Sequence, residues 1–217
     1  MVQISRLYAI VDCDSSGISV DPVQFAGQLV AAGCTLLQYR NKSGSARVML
    51  EQAREMRNIL SSRVSQPRRD PGHPRPVKLI MNDRADLCLA ADFNGVHVGQ
   101  DDLSPEAVRR MIGPDRWLGV STHNPEQLRE ADLTSADYLA IGPVFATSSK
   151  ANPDPVVGLE GVRRARQLTR KPLVAIGGIT RANAASVIKA GADSVAVISD
   201  LLLDPRKSAE EFLRILG

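Results

Sequence analysis

Aromatic side chains are scarce in this sequence. Phe, Trp and Tyr make up 4% of its 217 residues, with a single Trp. Stacking platforms for successive bases are therefore missing, which argues against single-stranded nucleic acid as a partner. An excess of one charge is missing too. Lys and Arg number 27 against 24 Asp and Glu, a net +3, so any basic site must be local rather than a field over the whole surface. Cysteine occurs three times, at Cys13, Cys34 and Cys88, odd in number, far apart, in apolar segments and without a CxxC pair. That pattern indicates neither a disulfide framework nor a zinc site, and reads as reduced thiols of a cytosolic protein. No apolar run reaches the ~18 residues of a membrane helix, and MVQISRLYAIVD enters a strand-like run with no charged-then-apolar leader before it. No GxGxxG follows the first strand-like run, which counts against a dinucleotide-binding sheet.

What is present is a rhythm. Hydrophobic content of 43% and charged content of 24% are ordinary for a globular protein, and the length fits one domain, residues 1–217. Strand-like runs alternate with helix-like segments: LYAIVD (7–12), TLLQYR (35–40), VKLIMND (77–83), GVHVGQ (95–100), WLGVS (117–121), YLAIGPVF (138–145), PLVAIGGI (172–179) and SVAVIS (194–199). Helices are predicted over 21–33 and roughly 45–62. Others follow in RADLCLAA, SPEAVRRMI, NPEQLREA, GVRRARQL and RANAASVIKAG, and a last one ends in FLRIL. Ser104, Asn124 and Thr180 stand where N-caps belong, and Pro22 and Pro105 where a first helical turn tolerates proline. Near-continuous apolar strands alternating with helices imply a parallel sheet covered by helices. Eight such units predict an α/β fold closed as a (β/α)8 barrel; a doubly wound open sheet is the alternative. The segment VSQPRRDPGHPRP, 64–76, breaks the rhythm with four prolines. It reads as a Pro/Arg-rich insertion on the face away from the active site, and His73 as part of it; a partner-binding loop is the functional alternative.

Function in a barrel belongs where strands end. Gln38, Arg40 and Lys42 alternate at the end of the second run, and so share one face. The third run ends in Asn82 and Asp83, the fourth in Gln100, Asp101 and Asp102, the fifth in Ser121. Thr147, Ser148, Ser149 and Lys150 follow the sixth, Gly177 and Gly178 the seventh, and Ser199 closes the eighth. Asp83 and Asp102 converge from adjacent strands without His or Cys, a pattern for a hard cation such as Mg²⁺, which takes one or two carboxylates and completes its shell with water and phosphate; helix capping is the competing reading. Arg40, Lys42 and Lys150 are counter-ions for a diphosphate. Gln38 lies further inside. A buried amide needs a partner, and a heteroaromatic ring or a phosphate oxygen would serve. The glycines of IGGIT (176–180) and the VIS segment (197–199) suit a phosphate held by backbone N–H groups. Two anionic sites on one rim suit an enzyme that joins two phosphorylated molecules.

The motifs QYRNK, LIMNDRADLCLA, GVHVGQDDL, GVSTHN, IGPVFATSSK, VGLEGVRRAR, AIGGI and GADSVAVIS run in order across nearly the whole chain. Their combination resembles the thiamine phosphate synthase family. The resemblance implies a transferase of thiamine biosynthesis. It condenses 4-amino-5-hydroxymethyl-2-methylpyrimidine diphosphate with a thiazole phosphate, releasing diphosphate. It implies that Gln38, Tyr39, Arg40, Asn41 and Lys42 cradle the pyrimidine diphosphate with Asn82, Ser121 and Lys150. Asp83 and Asp102 would hold Mg²⁺. Thr147, Ser148 and Ser149, with Gly178, Ile198 and Ser199, would hold the thiazole phosphate. The family often has Thr where Ser149 stands, and a hydroxyl is retained. Diphosphate departure first, then attack by the thiazole nitrogen, needs neutralisation of the leaving group rather than a protein nucleophile, with Arg40, Lys42, Ser121 and Lys150 as the catalytic set. The partners are small molecules, with no nucleic acid and no membrane; a homo-oligomer is left open. His97, inside the fourth run, reads as a hydrogen-bonded core residue and His123 as a capping or solvent-facing one. The rivals are a thiazole tautomerase, which needs a general base, and a non-catalytic thiamine-phosphate binding module, which has no use for the two acids.

Overall fold

The computed structural model of the chain describes residues 2–14, 21–64, 76–147 and 154–217. Among the described residues eight strands and eight helices alternate: β1 (Leu7–Asp12), α1 (Pro22–Ala31), β2 (Leu36–Arg40), α2 (Ala46–Val64), β3 (Lys78–Asn82), α3 (Ala85–Ala90), β4 (Gly95–Val98), α4 (Pro105–Ile112), β5 (Trp117–Thr122), α5 (Pro125–Asp132), β6 (Tyr138–Ile141), α6 (Gly158–Leu168), β7 (Leu173–Ile176), α7 (Ala184–Lys189), β8 (Ser194–Val197) and α8 (Pro205–Leu216), with one 3₁₀ turn at Ser199–Leu201. Every strand pairs in parallel with the next and β8 pairs back to β1, closing the barrel. The open-sheet alternative is thereby removed. The bulk of the predicted insertion, 65–75 with His73, lies outside the described residues.

Strand parity divides the core into two layers. Leu7, Ala9, Val11, Leu37, Leu79, Met81, Val96, Val98, Leu118 and Val120 point outward into the layer beneath the helices. Tyr8, Ile10, Leu36, Ile80, Tyr138, Ala140, Val174 and Ala196 fill the barrel interior. The register puts Ile10, Gln38 and Ile80 side by side on the inner face. Gln38, and after it Arg40, therefore inherit an inward direction from Leu36.

Four helices open with the same device. Asp21, Ser104, Asn124 and Asp204 each accept a hydrogen bond from a backbone N–H of the first turn, and a proline occupies the first helical position. The cap satisfies an otherwise unpartnered donor, and proline costs nothing where no N–H is needed. Thr180 departs from expectation. Its side chain does not cap α7; its carbonyl accepts from Asn183 and Ala184 N–H, its N–H donates to Asn183 Oδ1, and the helix starts only at Ala184. Cys34 and Cys88 are buried free thiols, while Cys13 is exposed just after β1.

Candidate active site

The C-terminal ends of the strands surround one cavity of about 600 Å³. Gln38, Arg40, Lys42, Asn82, Asp83, Asp102, Ser121, Thr147, Gly178, Ile198 and Ser199, all singled out from sequence, line it. Ser148, Ser149 and Lys150 lie outside the described residues. Two candidates turn elsewhere. Tyr39 follows the opposite strand parity, is buried under the helices, and donates its hydroxyl proton to Gln52 of α2 at 2.5 Å. The Asn41 carboxamide is spent locally, with Oδ1 accepting from Gly44 N–H at 2.7 Å and Nδ2 donating to the Tyr39 hydroxyl at 3.2 Å. Neither lines the cavity, because a residue between two inward-facing neighbours must face out.

The cationic wall is held from β1. Arg40 Nη1 donates to Asp12 Oδ1 at 2.6 Å and lies 3.7 Å from Asp14 Oδ2. Asp14 also accepts from the backbone N–H groups of Lys42 and Ser43, at 2.6 and 3.1 Å. These bonds hold its carboxyl below the usual range against the opposing effect of burial, which is its largest single influence. The β2–α2 loop is thus clamped in place by an aspartate that the sequence reading did not pick out.

The two acids meet across the ends of β3 and β4. Asp83 has a left-handed backbone, φ +60°, and its N–H donates to His97 C=O at 2.8 Å. Burial first, then the adjacent Asp102 carboxyl, push the Asp83 pKa up to about 6, with Lys42 pulling it back from 3.2 Å. Asp102 Oδ2 accepts from Gly99 N–H at 2.7 Å, which shapes the turn after β4. The capping reading fails for both: α3 has no side-chain cap, and α4 is capped by Ser104.

The opposite wall is backbone. Gly177 and Gly178 have φ of +98° and +62°. A Cβ on Gly178 would lie 2.4 Å from Ala146 C=O, and one on Gly177 2.5 Å from Pro143 Cβ. The glycines therefore admit the loop after β6, which pairs through Phe145 N–H to Gly177 C=O at 3.0 Å. Expected from sequence to admit a ligand, they first admit this neighbouring backbone.

Gln38, only 4% exposed, has a protein partner where the sequence suggested a ligand: its Nε2 donates to the Tyr8 hydroxyl at 2.9 Å. Tyr8 and Tyr138 hydroxyls are 2.9 Å apart, Tyr138 is 3.1 Å from His97 Nδ1, and His97 Nε2 is 2.8 Å from Ser121 Oγ. His97 is the hydrogen-bonded buried residue expected, yet it also borders the cavity, and burial lowers its pKa to about 4. His123 lines the cavity with Nδ1 2.7 Å from Gly142 C=O and 3.5 Å from Asp154. The two tyrosines went unnoticed in the sequence. Their signal was parity: Tyr8 alternates with outward Leu7 and Ala9, which aims a phenol into the barrel.

Comparison with known proteins agrees with this geometry. The family model described as thiamine monophosphate synthase matches residues 7–201. The chain is 60% identical to a thiamine-phosphate synthase of Koribacter versatilis over 99% of its own length and 97% of that protein. It is 44% identical to one of Chloroflexus aurantiacus, over 97% and 92%. A solved structure of thiamine phosphate pyrophosphorylase from Pyrococcus furiosus superposes with a TM-score of 0.81 at 32% identity, covering 97% of this chain and 95% of that one. Relatedness this extensive, on a barrel whose strand ends carry the residues described above, means that the chain belongs to the thiamine monophosphate synthase family.

Proposed function

We propose that the chain is a transferase that condenses 4-amino-5-hydroxymethyl-2-methylpyrimidine diphosphate with a thiazole phosphate, releasing diphosphate and forming thiamine phosphate. One observation carries the reading: a single cavity has a cationic and diacid wall at β2–β4 and a glycine-lined backbone wall at β7–β8. Arg40 and Lys42 face the departing diphosphate and offset its developing charge, an effect strengthened where water is excluded. Gln38, Asn82 and Ser121 hold the pyrimidine; Thr147, Gly178, Ile198 and Ser199 hold the thiazole phosphate, with Ser148 and Ser149, while Lys150 adds a third cation to the leaving group.

Asp83 and Asp102 fit Mg²⁺. Two carboxyls that raise the proton affinity of one of them leave excess negative charge, which a divalent cation relieves. Among the described residues no group of three or more His, Cys, Asp or Glu converges on a metal site. A two-carboxylate site completed by water and phosphate oxygens is the usual Mg²⁺ pattern. When bound, the ion would stabilise charge on the leaving diphosphate.

A tautomerase needs a general base: both ring nitrogens of His97 are engaged, while a proton held at His123 Nδ1 by Gly142 C=O leaves Nε2 as the lone pair that reading would use. Proton transfer alone, however, has no use for the paired acids Asp83 and Asp102 beside Lys42. No helix among the described residues is long and apolar enough to cross a membrane. A cytoplasmic enzyme acting on small molecules, without nucleic-acid or membrane partners, fits the reading. The test is turnover of the purified chain with both substrates, with and without Mg²⁺, following diphosphate and thiamine phosphate together. Equal amounts of both products, dependent on Mg²⁺, are expected. Folded protein that yields neither overturns the reading.

A further inference from the structure

Along the inner wall of the cavity, five side chains from five strands form one continuous hydrogen-bonded chain, Gln38, Tyr8, Tyr138, His97 and Ser121, of which all but Tyr138 line the cavity. Its direction follows from valence. Gln38 Nε2 donates to the Tyr8 oxygen. The amide nitrogen cannot accept in return, so the buried Tyr8 proton must go to its other partner, the Tyr138 oxygen. Tyr138 then has its own proton left for His97 Nδ1. A neutral imidazole that accepts at Nδ1 carries its proton at Nε2 and donates to Ser121 Oγ. That leaves the Ser121 hydroxyl proton and Gln38 Oε1 for a ligand, and both residues line the cavity.

Room for this chain is reserved at Gly119 of β5. A Cβ there would lie 2.2 Å from Tyr138 Cζ and 2.4 Å from both His97 Nδ1 and the Tyr138 hydroxyl. The Tyr138–His97 link therefore requires glycine at that position, and the link occupies a place where any other residue would have filled the floor.

We propose that Tyr8, Tyr138 and His97 are positioning residues that fix an acceptor on the β2 wall and a donor on the β5 wall, so that the pocket selects a 4-aminopyrimidine over its 4-oxo analogue. The inference rests on the condensation reading above for the identity of the substrate ring. An exocyclic amino group donates to Gln38 Oε1, and a ring nitrogen accepts from Ser121. In the 4-oxo ring a carbonyl takes the amino position and would face Gln38 Oε1, oxygen to oxygen. Sites built to hydrogen-bond a particular group reject the mismatched analogue strongly, because buried partners are left unpaired.

Two measurements test it. The first is long-range ¹H–¹⁵N correlation NMR of the histidine-labelled full chain without substrate, with His97 assigned by its absence in His97→Gln. A neutral ring protonated at Nε2 is expected. A proton at Nδ1, alone or together with one at Nε2, overturns the polarity. The second is calorimetric binding of the aminopyrimidine diphosphate and of its 4-oxo analogue to the wild type and to Tyr138→Phe. Tyr138 does not line the cavity, so any change must pass through the chain. Without that acceptor, the buried Tyr8 proton has only Gln38 left, and the amide turns over to present Nε2. The preference for the amino ring should fall by roughly tenfold or more, and undiminished preference overturns the proposal. If the wild type binds neither pyrimidine, the condensation reading falls and takes the substrate half of this inference with it, whatever the tautomer.

Discussion

Asp12, at the end of β1, holds Arg40, at the end of β2, through a 2.6 Å ion pair in which the aspartate side chain is 1% exposed and the arginine 20%. The parallel register sets them side by side, Asp12 against Arg40. A guanidinium left to itself would sample many rotamers, and restraining it beforehand removes that cost from binding. Asp12→Asn keeps the size and loses the charge. It should raise the KM for pyrimidine diphosphate roughly tenfold and destabilise the fold by about 1–3 kcal/mol, read by initial rates and urea denaturation. An unchanged KM would mean that Arg40 needs no support from β1.

Asp102 is expected to matter twice. Its loss removes a Mg²⁺ ligand in the functional reading and also the acceptor for Gly99 N–H. Asp102→Ala should therefore abolish Mg²⁺-dependent turnover and lower stability by about 1 kcal/mol while the circular dichroism stays that of the wild type. Normal rates in that variant would remove the metal assignment.

The barrel was legible because strand-like runs followed by helix-like segments recur eight times, with cap signals before some of the helices, and local agreement across a chain is strong evidence for one fold. The rim was legible because chemistry sits at strand ends. What escaped notice was support from across the barrel. Asp14 clamps the loop at Lys42 and Ser43, residues 28 and 29 positions away. Tyr8 meets Tyr138 across 130 positions. No spacing rule reaches that far; only closure of the sheet brings these groups together. Tyr39 and Asn41 belong to a contiguous motif with Gln38, Arg40 and Lys42, although alternation directs them to the other face.

Gly178 offers a variant that tests the two proposed substrate sites separately. With φ at +62° and a Cβ forced to 2.4 Å from Ala146 C=O, Gly178→Ala must move the loop after β6. A cost of about 1–3 kcal/mol is expected, together with a raised KM for thiazole phosphate and little change for pyrimidine diphosphate. Equal effects on both KM values would deny Gly178 a place on one side only.

His97 makes stability fall with acid. In the unfolded chain an imidazole takes up its proton below about pH 6.5; in the fold, burial lowers the pKa to about 4. Between those values the unfolded state binds more protons, so stability declines as pH drops through the window and levels off below it. The full shift corresponds to roughly 3 kcal/mol. Urea midpoints of wild type and His97→Gln measured from pH 7 to 4.5 should converge as pH falls, because the variant lacks this penalty. Parallel curves would show that His97 charges in the fold as readily as outside it.

Tyr39 decides between motif and geometry. If contiguity with Gln38 and Arg40 made it part of the pyrimidine cradle, removing its hydroxyl would slow turnover. The structure instead sends that hydroxyl to Gln52 on α2, in the layer between barrel and helices. Tyr39→Phe removes one buried hydrogen bond and leaves the ring in place, a cost of about 1 kcal/mol. Asn41 loses an acceptor as well, but keeps its bonds to Gly44 and Gln52, so the turn before α2 survives. Wild-type kcat and KM for both substrates, with a slightly lowered urea midpoint, are the expected result. A substantial loss of kcat at unchanged stability would put Tyr39 in contact with substrate, and the β2–α2 connection would then have to rearrange when the pyrimidine binds.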